Sequence, residues 1–230
     1  MESTSKAAVA EFIATFALIF IGAGSVVMAA NGLGSGLVGV ALAHGIVLAV
    51  VVSVTAHISG GLVNPAVAIG LWVTGKLATG RMIVLVIAEL AGATFGALLL
   101  RLTVPEALWR TAALGTPVLA PGLGVGKGIL LEAILTFFLV FAVYGTAVDD
   151  RGPFGKTAGL TIGLVLTFDI LAGGPLTGAS MNPARTFGPG LVSGTWTGWW
   201  VYWVGPIAGA VIAGVVYWMV FLKDKEPATP

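Results

Sequence analysis

Two copies of one triplet, Asn64-Pro65-Ala66 and Asn182-Pro183-Ala184, carry the most specific chemistry in this chain. Asparagine is a strong helix N-cap, and proline is favoured at the first helical position. Each triplet therefore predicts the start of a helix capped by its own asparagine. The capping carbonyl accepts a backbone N–H, which leaves the amide NH2 free to donate. Each helix start also presents the positive end of its dipole. Two such starts brought together would offer fixed donors to an oxygen atom and would repel a cation. An oxygen held by both donors accepts poorly from its in-line neighbours, which interrupts a proton-conducting chain. A single Asn-Pro reads as a turn signal. Two copies in matched surroundings favour a shared site.

Four other polar residues bear on that site. Arg185 directly follows the second triplet. A guanidinium in an apolar stretch is expensive and marks function by default. His44 sits between Val40-Ala41-Leu42-Ala43 and Ile46-Val47-Leu48, where a lone histidine ordinarily reads as a satisfied core residue. Glu11 and Glu132 lie early in two long apolar runs. Buried charge is costly and loop N–H groups need partners, so a structural role suits both glutamates better than transport.

The elements that position these groups follow from composition. The 230 residues are 57% hydrophobic and 9% charged, whereas soluble domains carry about 25% charged residues. So few charges cannot cover a water-soluble surface. Six long apolar segments are read at roughly 7–30, 37–56, 82–102, 128–148, 157–172 and 199–222. None alternates every second residue as a barrel strand would. The first contains Glu11 and is too long for a signal core, so it reads as a span. The fold class expected is an all-α membrane protein with six transmembrane helices. Two shorter apolar pieces, 64–73 and 182–191, are predicted as re-entrant half-helices.

The halves repeat one another. Glu11-x-Ile13-x-Thr15-Phe16-x-Leu18-x-Phe20 matches Glu132-x-Ile134-x-Thr136-Phe137-x-Leu139-x-Phe141 at an offset of 121 residues. Ser59-Gly60, Asn64-Pro65-Ala66 and Gly70 match Thr177-Gly178, Asn182-Pro183-Ala184 and Gly188 at an offset of 118. Residues 1–230 are read as a single channel domain, with repeat one at about 7–102 and repeat two at about 128–222. Three spans per repeat invert the second relative to the first, so the half-helices meet near the midplane. With the N-terminus inside, Lys6, Lys76, Arg81, Arg151, Lys156, Lys223 and Lys225 fall on one side, against Arg101, Arg110 and Lys127 on the other. The positive-inside rule puts both termini in the cytoplasm, and a cell membrane, plasma or inner, is the expected location.

These motifs resemble the aquaporins. The resemblance rests on His57-Ile58-Ser59-Gly60-Gly61-x-x-Asn64-Pro65-Ala66-Val67, on Asn182-Pro183-Ala184-Arg185-Thr186-Phe187-Gly188-Pro189 and on the two Glu-x-x-x-Thr starts. It covers residues 7–222 and implies one pore per chain, a homotetramer, and a passive channel for water that excludes protons and ions. It also implies a selectivity filter, mapped by distance from the two motifs onto His44, Ile170, Ala179 and Arg185. Ile170 and Ala179 would otherwise read as packing residues. This set resembles the plant tonoplast intrinsic branch, some of whose members pass ammonia. Thr186 and Tyr202-Trp203 depart from the glycerol-conducting pattern. Glu11 and Glu132 would support the re-entrant loops. For His57, lining the inner vestibule and packing the loop both stay open.

The rival reading is a secondary transporter of a small neutral solute, which would also use inverted repeats and broken helices. An intramembrane enzyme has less support, since no Ser/His pair or metal-ligand cluster sits in the spans. With no cysteine and two histidines, no metal or cofactor is expected. A net charge of +1 gives no attraction for nucleic acid; lipid and small neutral solutes are the expected partners. Gly92-x-x-x-Gly96 and Gly205-x-x-x-Gly209 predict close helix crossings. Trp196, Trp199, Trp200, Tyr202 and Trp203 read as an interfacial belt. Glu89 and Asp169 receive no role.

Overall fold

The computed structural model describes residues 2–151 and 155–223; Lys225, counted above for orientation, lies outside them. Six helices are long and apolar enough to cross a membrane: α1 Thr4–Ala30, α2 Gly36–Thr55, α4 Thr79–Thr103, α5 Val125–Val148, α6 Ala158–Thr177 and α8 Val201–Leu222. Between them lie two short helices, α3 Pro65–Val73 and α7 Pro183–Ser193. The described residues contain no strand. Helices satisfy most of their backbone groups within the segment, which lipid requires. Their outward side chains are apolar; Ile46, Ile87, Leu130 and Leu164 are all more than half exposed.

The glycines show how the spans fit. Gly92 and Gly96 of α4 lie against Phe12 and Phe16 of α1, where an added Cβ would come within 2.3 and 2.7 Å of the two carbonyl oxygens. Gly205 and Gly209 of α8 press in the same way on Ile129 and Ala133 of α5. Gly45 of α2 and Gly163 of α6 face one another at a third crossing, where Gly159-x-x-x-Gly163 of α6 lies against Ala49 of α2.

The half-helices exchange sides. α3 packs on α8, and α7 packs on α4. The two matched motif glycines make both contacts possible. A Cβ on Gly70 would sit 3.0 Å from the Ala210 oxygen, and one on Gly188 would sit 2.4 Å from the Ala93 oxygen. Each half-helix is thus seated on the last span of the other half of the chain.

Two expectations need correction. The fifth span runs to Thr177, not to Ala172, because Pro175 is accommodated inside α6 and Gly178 ends the helix at φ +82°. Only glycine adopts such a φ without strain. The aromatic belt also loses one member. Trp196, Trp199 and Trp200 are exposed, but Tyr202 is fully buried.

Candidate functional site

Both asparagines cap as their sequence predicts. Asn64 Oδ1 accepts from Ala66 N at 2.9 Å. Asn182 Oδ1 accepts from Ala184 N at 2.9 Å and from Arg185 N at 3.2 Å. Their amide groups are less free than expected. Asn64 Nδ2 donates to the Met181 carbonyl and Asn182 Nδ2 to the Val63 carbonyl, each at 2.8 Å. One N–H of each amide thus ties the two loops together, leaving one for a guest.

Val63 and Met181, the residues before the two asparagines, adopt left-handed φ values of 56° and 53°. For a β-branched valine this is an outlier, and such strain costs about 1–3 kcal/mol. It persists because each residue is held at both ends. Val63 donates its N–H to Glu11 at 2.6 Å, and Met181 donates its own to Glu132 at 2.7 Å. Their carbonyls are the ones taken by the opposite asparagines.

The glutamates hold more than these two groups. Glu11 also accepts from Leu62 N at 2.9 Å. Glu132 accepts from Ser180 N at 3.0 Å and from the Thr177 hydroxyl at 2.7 Å. Both carboxyls are fully buried, and loop donors face each of them, which leaves neither free to coordinate a travelling ion. Arg81 reaches Ile58 O from the far side of the first loop. Tyr202 donates to Thr177 O at 2.8 Å.

Asn64, Asn182, His44 and Arg185 line one cavity together with Ser180 and apolar side chains such as Leu48, Val52 and Leu166. Arg185 also lines an outer recess that includes Ile170, Thr116 and Gly178. The guanidinium therefore stands where the two spaces meet. Its Nη1 donates to Gly115 O at 2.6 Å, while its Nε has no partner. His44 Nδ1 lies 2.9 Å from Val40 O. A carbonyl only accepts, so Nδ1 carries the hydrogen, and Nε2 of the neutral ring is left as an acceptor. Nε2 is buried and without a partner. The site thus presents a donor on Arg185 and an acceptor on His44.

Ala179 is buried beside Gly173 of α6, and its N–H is taken by Thr177 Oγ1. His57 is exposed. It lies in a surface groove with Glu2 and with Lys6 and Ile13 of α1, and does not line the cavity that holds the two asparagines.

The sequence reading missed two positions. A Cβ on Gly22 would come 2.6 Å from His44 Nε2 and Cδ2, so this glycine makes room for the imidazole. Gly115 carries the carbonyl that holds Arg185, at φ +72° and with only 2.6 Å between an added Cβ and Ala23 O. At either place the glycine itself was the only local signal.

The family model for the major intrinsic proteins matches residues 1–217. The chain belongs to that family, the aquaporins. Among curated relatives, aquaporin TIP4-4 of Zea mays is 48% identical over 95% of this chain and 88% of its own length. Aquaporin TIP2-1 of Arabidopsis thaliana is 43% identical over 96% of this chain and 89% of its own. The X-ray structure of the aquaglyceroporin from Plasmodium falciparum superposes with a TM-score of 0.85 at 23% identity, covering 96% of this chain and 98% of that one; it shows the shared fold. This aquaporin is a multi-pass membrane protein. Its relatives are of the tonoplast type, and they give no support to the cell-membrane location expected above.

Proposed function

We propose that this aquaporin is a passive channel for water that also admits ammonia and excludes protons and ions. The observation that carries the reading is the single cavity shared by Asn64, Asn182, His44 and Arg185. A small neutral guest can accept from Arg185 and donate to His44 Nε2. It then meets the remaining amide hydrogens of both asparagines at two positive helix ends. A cation entering the same cavity meets a fixed guanidinium and donors. His44, Ile170, Ala179 and Arg185 form the filter in this reading. Ile170 and Ala179 supply an apolar wall that does not compete for a guest's hydrogen bonds. Pro65, Ala66, Pro183 and Ala184 set the two helix starts, and Glu11 and Glu132 hold the loops. The relatives named above are called aquaporins, which supports water as the substrate.

In the same reading residues 1–230 form one channel domain of two inverted repeats, with a pore in each chain of a homotetramer. Both termini face the cytoplasm, in keeping with the lysine and arginine asymmetry.

Stopped-flow light scattering on proteoliposomes tests this. Osmotic shrinkage well above that of empty vesicles is expected, with a fast ammonia trace and a slow glycerol trace. Arg185→Val should raise cation or glycerol leak, and His44→Ala should change the ratio of ammonia to water. Solute accumulation against a gradient would instead favour the transporter reading.

A further inference from the structure

Glu89 of α4 is fully buried, and neither of its carboxyl oxygens has a hydrogen-bond partner. The groups it faces are the Glu11 carboxyl and the backbone N–H of Asn64. Asn64 is the last of three successive loop N–H groups. Leu62 and Val63 donate theirs to Glu11, and Pro65 has none to give. Near the second loop the corresponding span carries no acidic residue, and the buried carboxyl close to Glu132 is instead Asp169 of α6.

The surroundings offer Glu89 no cation. From α1 it faces Glu11, whose own charged neighbour is Arg81. α3 carries no titratable side chain. α7 contributes Arg185, which is turned to Gly115 and the cavity. Two carboxylates facing one another in an apolar interior would repel by several kcal/mol. A proton on Glu89 removes that repulsion. It also makes one oxygen a donor for Glu11 and leaves the other to accept from Asn64 N–H.

We propose that Glu89 is a proton-bearing positioning residue for the first Asn-Pro-Ala loop, and that losing its proton loosens this loop and lowers permeability. The proposal rests on the channel reading above. In proteoliposomes, wild-type water permeability should fall roughly tenfold on strong alkalinisation, as like charges appear beneath the loop. Glu89→Gln supplies a neutral donor and acceptor of the same shape, so the alkaline fall should vanish. Glu89→Leu should lower permeability across the whole range. An alkaline fall of the same size in Glu89→Gln would overturn the proposal, as would a flat wild-type profile. Infrared difference spectra decide the proton independently of transport. A protonated-carboxyl band missing from Glu89→Gln and kept in Asp169→Asn upholds it, and a wild type without that band overturns it. If no variant passes water faster than empty vesicles at any pH, the channel reading fails by itself, and the infrared result still decides Glu89.

Discussion

The first Asn-Pro-Ala loop is held by Glu11 through two backbone N–H groups, with one further N–H capped by Asn64. In the second loop Glu132 takes two backbone N–H groups and the Thr177 hydroxyl, and Asn182 caps two more. There the Ser180 hydroxyl also donates to Asn182 O at 2.9 Å and lies 2.7 Å from Thr186 Oγ1. Its match in the first loop is Leu62, which has no polar side chain. One backbone plan is therefore fixed twice, more firmly in the second copy. That copy carries Arg185, whose guanidinium must keep one position for a donor geometry to mean anything. The difference teaches that the tighter hold falls on the copy that carries the buried guanidinium.

Removing each glutamate gives the largest expected contrast. Glu132→Ala leaves two backbone N–H groups and the Thr177 hydroxyl unpaired at about 1–3 kcal/mol each, and Glu11→Ala leaves two N–H groups while the Ser59 hydroxyl beside it keeps its bond to Thr55 O. Heating in detergent, read as the fraction still folded, should show Glu132→Ala losing more stability. Equal losses would break the asymmetry. The caps come next. Asn182→Ala and Asn64→Ala each lose a cap of about 0.5–2 kcal/mol. Asn182→Ala orphans one extra N–H, so its midpoint should be lower by the equivalent of about 1 kcal/mol.

A smaller effect sharpens the comparison at the far ends of the half-helices. The Tyr144 hydroxyl donates to Gly70 O at 3.0 Å and also pairs with Thr74 Oγ1, at the end of α3. Tyr144→Phe should cost about 1 kcal/mol in the same assay, more than Arg101→Ala, whose bond to Val192 O at the end of α7 is exposed.

The smallest effect lies outside the spans. The Arg151 guanidinium beside Asp149 holds this carboxyl below the usual carboxylate range, aided by the Tyr217 hydroxyl. A lowered carboxyl stabilises fully above its unfolded value of about 3.9, and that contribution is lost as the pH falls toward the folded value. Wild type should therefore lose slightly more stability than Asp149→Asn on acidification below about pH 4. Parallel acid profiles would remove Asp149 from the account.

Much of the site could be read from local chemistry. Asn64-Pro65 and Asn182-Pro183 name their helix starts because capping needs only the asparagine and the next few N–H groups. Glu11 and Glu132 could be read as loop supports because buried carboxyls need donors and the repeat supplied two. The Gly115 carbonyl behind Arg185 could not be read, since it comes from a turn 70 residues away. Nor could the cross-ties of the amides, which made the NH2 groups look freer than they are. The fifth apolar run reads as ending near 172, and only the structure shows that the helix continues through Pro175 to Thr177.

The sequence by itself determined the spans, the two capped half-helices and the repeat, because apolar length, capping and periodicity act over a few residues of one segment. Only the tertiary structure decided which half-helix sits on which span, how Gly22 and Gly115 set His44 and Arg185, and that Val63 and Met181 stay strained between a glutamate and the opposite asparagine. Those outcomes depend on donors, acceptors and ångström-scale clearances between segments far apart in the chain, and no local pattern encodes them.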